Sequence, residues 1–421
     1  MNKIFRAETE SGRPIITLFD SGLGGSALAP YFMYGSHHKH FDDYDINLVA
    51  DHAGLPYGDK DASYILGRVA CAIERSAEKG SDTFVIACNT ASAVCLGPEG
   101  DERSLQSPIN RWRESHPNKK VRNMKIVGII RPAALELKRD IEREVKIGLK
   151  EVKKGDTGDK KKGIRPGQPI DVMLFATQRT VESGAYVDAI RLAFTDPNNS
   201  PDKETLRRNI EIHSRIKVCA VACPGLADAI ENCHNLPTNS HNDYLLDFFD
   251  NFAKKMEREL RNNSFTALIP GCTHYWFIHD LIKRSLKING VTVHNDVLND
   301  ANIAEYMVEY LGLDILDLFF DPQRKPRGLF LYSTKPESEL TEKTSAFHHL
   351  FKGHEGVPEA FGLYKNPAFE HLELGNLAYP IDPKILEDVD HPVRAYTEAD
   401  IGQPLPGKRQ RLRRPYDPFR P

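Results

Sequence analysis

Along this chain, short runs of consecutive apolar residues alternate with longer stretches in which apolar positions recur every three to four residues. Seven short runs predict strands: 14–19 (PIITLF), 46–50 (INLVA), 83–87 (TFVIA), 124–130 (MKIVGII), 170–176 (IDVMLFA), 216–222 (IKVCAVA) and 265–270 (FTALIP). Runs without polar alternation fit strands covered on both faces, as in a parallel sheet. Between them, 61–80 and 241–263 carry the helical period. Strand and helix in alternation predict an α/β fold.

The pattern also repeats. PIITLFDSGLGG from Pro14 parallels PIDVMLFATQRT from Pro169, and TFVIACNTAS parallels TALIPGCTHY further along each half. Each half therefore has one strand ending in small polar residues and a later strand ending in a cysteine with threonine close behind. Ligands of open parallel sheets bind beyond the carboxyl ends of the strands. Two such halves facing each other place Cys88 and Cys272 on opposite sides of one cleft.

Two stretches break the rhythm. Residues 96–123 are polar, and 150–169, rich in Lys and Gly, read as a solvated surface excursion. Beyond about 354 the chain turns Pro-rich and ends in a basic tail, which suggests an extension packed along the body.

Composition narrows the class. The 421 residues are 40% hydrophobic and 27% charged, which suits a globular protein of two or three domains. A net charge of −3 provides no global field to recruit nucleic acid or an anionic membrane. No apolar run approaches the about 18 residues of a membrane span, and MNKIFRAETESGRP lacks the apolar core of a signal peptide. A cytoplasmic protein is expected. The seven cysteines include no C-x-x-C pair, so a disulfide framework is not expected.

Cys88 and Cys272 stand out because each closes a strand and opens a short polar segment, Asn89 and Thr90 in one case, Thr273 and His274 in the other. Backbone N–H groups at a helix start favour a thiolate or a carboxylate ligand. Two thiols across a small site suit proton transfer at both faces of one carbon, because a thiol with an ordinary pKa of about 8.5 can serve as base or acid. Each thiol needs a partner for its proton. Asp20 is the candidate beside Cys88 and His274 the candidate beside Cys272.

Other arrangements compete. Gly22, Gly24 and Ala27 fit a relaxed dinucleotide fingerprint, with Asp51 closing the next strand as a candidate ribose ligand. Against this, Asp20 would meet an incoming pyrophosphate, and Asp51 lies farther than the usual spacing of about 20 residues. Cys219, Cys223, Cys233 and His234 could supply zinc ligands, but the first two fall in a buried strand. A thiol hydrolase using Cys272 and His274 would need residues two apart to orient as nucleophile and base. FDSGLGG lacks the glycine spacing of a nucleophile elbow.

Six segments in order, LFDSGLGGSA, DHAGLPYGDKDASYI, VIACNTASA, ATQRTVESGAY, ACPGLADAIE and IPGCTHYWFI, resemble the signature segments of the cofactor-independent glutamate racemases. LFLYSTKPESELTEKTSAFHHLFKG (329–353) is similar to their closing segment. The resemblance implies two similar parallel-sheet, three-layer α/β domains related by pseudo-symmetry, with the active site between them. On this chain they would be residues 1–130 completed by 275–353, and residues 131–274, with 354–421 as a partly irregular extension. It implies Cys88 and Cys272 as the catalytic acid/bases, assisted by Asp20, His274 and Glu231; Glu231 is singled out by the resemblance alone. Substrate contacts would come from Asp20, Ser21, Tyr57, Gly58, Asn89, Thr90, Thr177, Thr273 and His274. No cofactor and no metal are implied. The partners expected are glutamate as a small-molecule substrate and a second copy in a homodimer, with neither nucleic acid nor membrane.

The implied activity interconverts L- and D-glutamate and supplies the D-form for peptidoglycan. Aspartate or a hydantoin as substrate, or a racemase-like binding protein, are the alternatives. Three departures bear on specificity: Arg131 replaces the usual acid before the proline, Pro270 replaces a leucine before the second cysteine motif, and the two insertions and the extension are atypical. The glycines of LFDSGLGG are expected to bring backbone close to the substrate.

Overall fold

The computed structural model describes residues 15–29, 32, 45–100, 106–153, 163–233, 243–250, 264–295, 303, 307, 329–344 and 369–390. Among the described residues ten strands form two sheets, every pairing parallel: β1 Ile15–Asp20, β2 Asp45–Ala50, β3 Ser81–Ile86, β4 Lys125–Gly128, β5 Ile170–Ala176, β6 Ile216–Ala222, β7 Ser264–Gly271, β8 Thr292–Asn295, β9 Leu329–Ser333 and β10 Phe369–His371. The first sheet runs β10-β9-β2-β1-β3-β4 and the second β6-β5-β7-β8. All seven expected strands are present. The helical stretch expected over 241–263 is helical at 243–250, and 251–263 lie outside the described residues.

The strand orders carry the internal repeat into three dimensions. Matching β1 with β5, β2 with β6, β3 with β7 and β4 with β8 makes β2-β1-β3-β4 and β6-β5-β7-β8 the same order. The first sheet then adds β9 and β10 beyond β2. β1 is buried along its whole length, and β5 is buried except at Asp171. That is why both read as unbroken apolar runs. Leu18 and Leu48 of the first sheet and Leu174 and Ile269 of the second belong to one hydrophobic cluster, so the halves share a core.

Helices follow the strands. These are α1 Ala62–Glu78, α2 Asn89–Leu96, α3 Pro108–Ser115, α4 Lys119–Asn123, α5 Ile130–Lys153, α6 Gln178–Glu182, α7 Ala185–Thr195, α8 Lys203–His213, α9 Leu226–Asn232, α10 His279–Ile288 and α11 Pro383–Asp390. α1 buries Ile65, Val69 and Ile73 at a four-residue spacing, the stripe expected of a helix packed on a sheet. Among the described residues no helix is long and apolar enough to cross a membrane.

The polar stretch 96–123 is better packed than its composition suggests. Within it α3 and α4 bury Ile109, Trp112 and Val121, while Arg113 is buried and donates to Asn110 Oδ1 at 2.8 Å and to the Val121 carbonyl at 3.1 Å. Polar residues satisfied locally conceal a small apolar face. Of the excursion at 150–169, residues 154–162 lie outside the described set, and the chain returns at Ile164, which is buried and donates its N–H to the Glu144 carbonyl at 2.9 Å.

Residues 369–390 of the C-terminal stretch are part of the first sheet's assembly. β10 pairs with β9, and Leu372, Leu374, Ile381 and Ile385 join the core that also holds Ile73 and Trp112. The fastening is polar. Buried Glu74 accepts from the backbone N–H of Ala378 at 2.8 Å and of Tyr379 at 2.9 Å, and meets His116 Nε2 at 3.0 Å. Trp112 Nε1 donates to the Tyr379 carbonyl at 3.1 Å. Glu74→Ala leaves these partly buried donors without their acceptor and should destabilise the protein by about 1–2 kcal/mol. Urea denaturation should show this, with faster amide exchange at Ala378 and Tyr379. Glu78→Ala, which removes only a surface pair with Arg75, should cost less than about 0.5 kcal/mol.

Candidate active site

The carboxyl ends of both sheets converge. Asp20 and Ser21 close β1, Asp51 and His52 follow β2, Cys88 follows β3, Thr177 follows β5, Cys223 follows β6, Cys272 follows β7, and Ser333 ends β9. A narrow cleft with about 20 Å³ of free space lies there, and its walls include Asp20, Ser21, Tyr57, Gly58, Cys88, Asn89, Thr90, Thr177, Cys272, Thr273 and His274. Every residue expected on the site from the sequence lines this cleft except Glu231, which stands behind His274. Leu55, Pro56, Asp59, Gln178, Cys223 and Asp228 complete much of the wall and were not expected. Cys223 could have been found from the repeat, since it holds in the second half the place that Asp51 holds in the first.

Cys88 caps the start of α2. Its Sγ lies 3.6 Å from Ser21 Oγ, and Ser21 Oγ lies 3.2 Å from Asp20 Oδ1. Thiol, hydroxyl and carboxylate form a chain in which Ser21 stands between Asp20 and Cys88. Burial and then the charge of Asp20 push the Cys88 thiol up to about 12, against weaker stabilisation from the Ala91 N–H and Ser21. Asp20 is fully buried, and desolvation raises its carboxyl above 3.8 despite the opposing charge of His274 and hydrogen bonds from Thr273, Gly22 and Ser21. Thr273 Oγ1 donates to Asp20 Oδ2 at 2.8 Å and ties the two halves together.

Cys272 has a different neighbourhood. Its Sγ lies 3.8 Å from His274 Nδ1, and His274 Nε2 lies 2.8 Å from Glu231 Oε2. Burial alone would push the His274 ring toward neutrality. Its hydrogen bonds to Cys272 and Glu231, and their charges, override that and hold it well above 6.5. Burial likewise opposes the charge on Glu231, but the two histidines His274 and His52 outweigh it and hold the carboxyl well below 4.5.

Neutral hydrogen-bonding side chains share the remaining wall with the carboxylates of Asp59 and Asp228. Thr90, Thr177 and Thr180 form a hydroxyl cluster across the halves, with Oγ1 separations of 2.9 to 3.2 Å. The Asn89 side-chain oxygen accepts from the Tyr186 hydroxyl. The Asn89 amide nitrogen is buried with no partner among the described residues, so a donor stands ready on the cleft wall.

The glycines of LFDSGLGG do not line the cleft, which corrects the expectation that they bring backbone to the substrate. A Cβ at Gly22 would lie 2.8 Å from Glu231 Oε2, and one at Gly24 would lie 2.4 Å from Thr273 Oγ1 and 2.7 Å from His274 Nδ1. Their bareness makes room for these side chains. The same crowding leaves no place for a pyrophosphate over the turn. Asp51 is occupied by Tyr57 (2.7 Å), Arg68 (2.8 Å) and Thr334 (2.7 Å), which removes the candidate ribose acid. Of the zinc alternative, Cys223 lies on the cleft and His234 lies outside the described residues; no metal-holding group of side chains occurs among the described residues.

Arg131 sits in the first turn of α5, its guanidinium facing the Glu99 carbonyl at 3.3 Å and Asn199 at 3.4 Å, and it is not part of the cleft wall. Pro270 is buried in β7 opposite Phe175.

Two buried thiols, each beside its own polar partners, are an arrangement able to pass protons to and from a small polar molecule. The comparisons point to one such class. No protein-family model matches the chain. The chain is 25% identical over 332 residues to the glutamate racemase of Lactobacillus acidophilus, covering 79% of this chain and 91% of that protein. It is also 25% identical over 334 residues to that of Phenylobacterium zucineum, covering 77% and 93%. Its fold is similar to glutamate racemase isoform RacE1 of Bacillus anthracis, with a TM-score of 0.51 at 20% identity over 86% of this chain and 98% of that one. The Francisella tularensis glutamate racemase, solved in complex with D-glutamate, matches with a TM-score of 0.50 at 19% identity, covering 87% and 99%. The resemblance carried by the six motifs extends over most of the chain, and it is to the glutamate racemases.

His274 binds its proton more tightly folded than unfolded. Its stabilisation is complete below about pH 6.5 and is lost as pH rises through the elevated folded value. Urea unfolding in steps upward from pH 6.5 should show a falling stability, and His274→Gln should flatten that slope.

Proposed function

We propose that this protein is a cofactor-independent amino-acid racemase that interconverts L- and D-glutamate through Cys88 and Cys272. The carrying observation is that the two thiols end equivalent strands, β3 and β7, of two sheets with the same strand order and line one cleft. The glutamate racemases at 25% identity over more than three quarters of the chain support glutamate as the substrate. The unpartnered Asn89 amide and the threonine hydroxyls suit its carboxylates.

In one direction the Cys272 thiolate takes the α-proton, forming an S–H bond while the C–H electron pair stays on Cα and its carboxylate. The Cys88 S–H then gives its proton to the opposite face and becomes the thiolate. Inversion is complete, the charge has moved from one sulfur to the other, and no electrons have left the system. The reverse direction exchanges the roles. His274, backed by Glu231, stabilises the thiolate of Cys272, while Ser21 and Asp20 handle the Cys88 proton. The D-glutamate formed would serve peptidoglycan synthesis. By analogy, Cys88 acts on the D-enantiomer.

Purified protein without added cofactor should exchange the α-hydrogen of glutamate for solvent deuterium, followed by NMR, and faster than for aspartate or a hydantoin. Glutamate, aspartate and related acids all remaining unlabelled would sink the proposal. Cys88→Ser and Cys272→Ser should each lower racemisation at least about a hundredfold by polarimetry. Full activity in either variant would refute the two-thiol mechanism.

A further inference from the structure

Behind His274 lies a buried residue to which neither the resemblance nor the proposed mechanism gives a role. His52 follows β2 in the first half, and its Nε2 lies 3.0 Å from Oε1 of Glu231, which α9 of the second half presents. Both side chains are completely buried. We propose that His52 is a positioning residue for the Cys272 side of the reaction, clamping Glu231 across the boundary between the halves so that this carboxylate holds His274 in line with the thiol. This deepens the racemase reading and rests on it.

The His52 ring is held at both nitrogens. Ser333 Oγ accepts the Lys335 backbone N–H at 3.1 Å and lies 2.8 Å from His52 Nδ1. The Glu231 carboxylate can only accept, so the His52 nitrogen facing it at 3.0 Å, Nε2, is the one that carries a proton toward Oε1. The two oxygens of Glu231 then have separate duties. Oε1 takes His52, with Lys343 Nζ at 4.0 Å, and Oε2 takes the Leu23 N–H at 2.9 Å and His274 Nε2 at 2.8 Å. With its Nε2 proton fixed on Glu231, His274 turns Nδ1 to Cys272.

The charged and titratable groups around this carboxylate are His52, His274 and Lys343, and those around His274 also include Cys272 and Asp20. Replacing His52 leaves His274 and Lys343 beside the carboxylate. What is lost is the close contact at Oε1 that stops Glu231 from turning, so the expected defect is geometric. Ser333 is itself held from outside, its carbonyl accepting the Leu372 N–H at 2.8 Å, so the C-terminal strap braces the same line of contacts.

The consequence is one-sided. A misplaced His274 raises the barrier for proton exchange between Cys272 and Cα and leaves that for Cys88 unchanged. C–H cleavage then becomes more rate-limiting for the enantiomer that Cys272 deprotonates and less so for the other. His52→Leu should lower kcat about 10- to 100-fold in both directions with KM little changed. The α-deuterium isotope effect should rise for one enantiomer and fall for the other. His52→Gln, whose amide N–H can reach the same oxygen, should recover most of the rate. A wild-type rate in His52→Leu, or equal slowing with unchanged isotope effects, would overturn the proposal. If the wild type itself does not racemise glutamate, the functional reading fails separately. The clamp is then read from the ¹⁵N imidazole titration of His274, which should shift in His52→Leu and would overturn the clamp if it did not.

Discussion

Glu231 is an ionised carboxylate with no exposure to water, and such a group is tolerated only when its oxygens are satisfied by donors and its charge by cations. The donors come from both halves of the molecule. Leu23 and His52 belong to the first, His274 and Glu231 itself to the second, and Lys343 follows β9 as the chain returns to the first sheet. Closing the halves therefore costs less than the burial of a lone charge would suggest, and opening them strands it. The position of the cleft follows from this cluster together with the contact of Thr273 with Asp20.

From that anchor the two thiols acquire opposite surroundings despite their equivalent places in the repeat. Cys88 faces a buried carboxylate through Ser21 and is held as a neutral thiol. Cys272 faces an imidazole that Glu231 keeps charged. On the proposed mechanism the two thiols therefore exchange their protons with different partners, and each turnover reverses the distribution of protons between them. Pseudo-symmetry supplies two similar sites for sulfur, and the asymmetry of the side chains behind them sets the starting state.

Much of this was legible in the sequence because buried parallel strands such as β1 and β5 carry a simple signature, although β6, expected to be buried, is only half-buried. The seven unbroken apolar runs became strands within a few residues of their expected ends, and the repeat located both cysteines before any geometry. Less was legible where the relevant contacts join distant parts of the chain. β8 and β10 are short, and β10 forms the sheet edge with no apolar run to announce it, while the apolar run of β9 was not expected as a strand. Glu231 sits in an ordinary amphipathic helix, and His52 lies one residue past a strand. Their roles depend on a meeting across 179 positions that spacing cannot encode. The apolar face within 96–123 was hidden because Arg113 and His116 are buried with their polar atoms satisfied, so composition alone marks the stretch as polar.

LFDSGLGG illustrates how one local pattern serves two physical purposes. A glycine-rich turn after a strand reads as a place where something must come close, and a phosphate is the familiar visitor. Here the visitors are the protein's own side chains, with Glu231 and His274 against Gly22, and Thr273 and His274 against Gly24. A methyl group at either glycine would press on the residues that serve Cys272, although both glycines belong to the half that carries Cys88. Asp20 and Ser21, immediately before them, are the two that line the cleft. The turn thus separates the residues that face substrate from those that make room for the opposite half, and glycine is needed only for the second task.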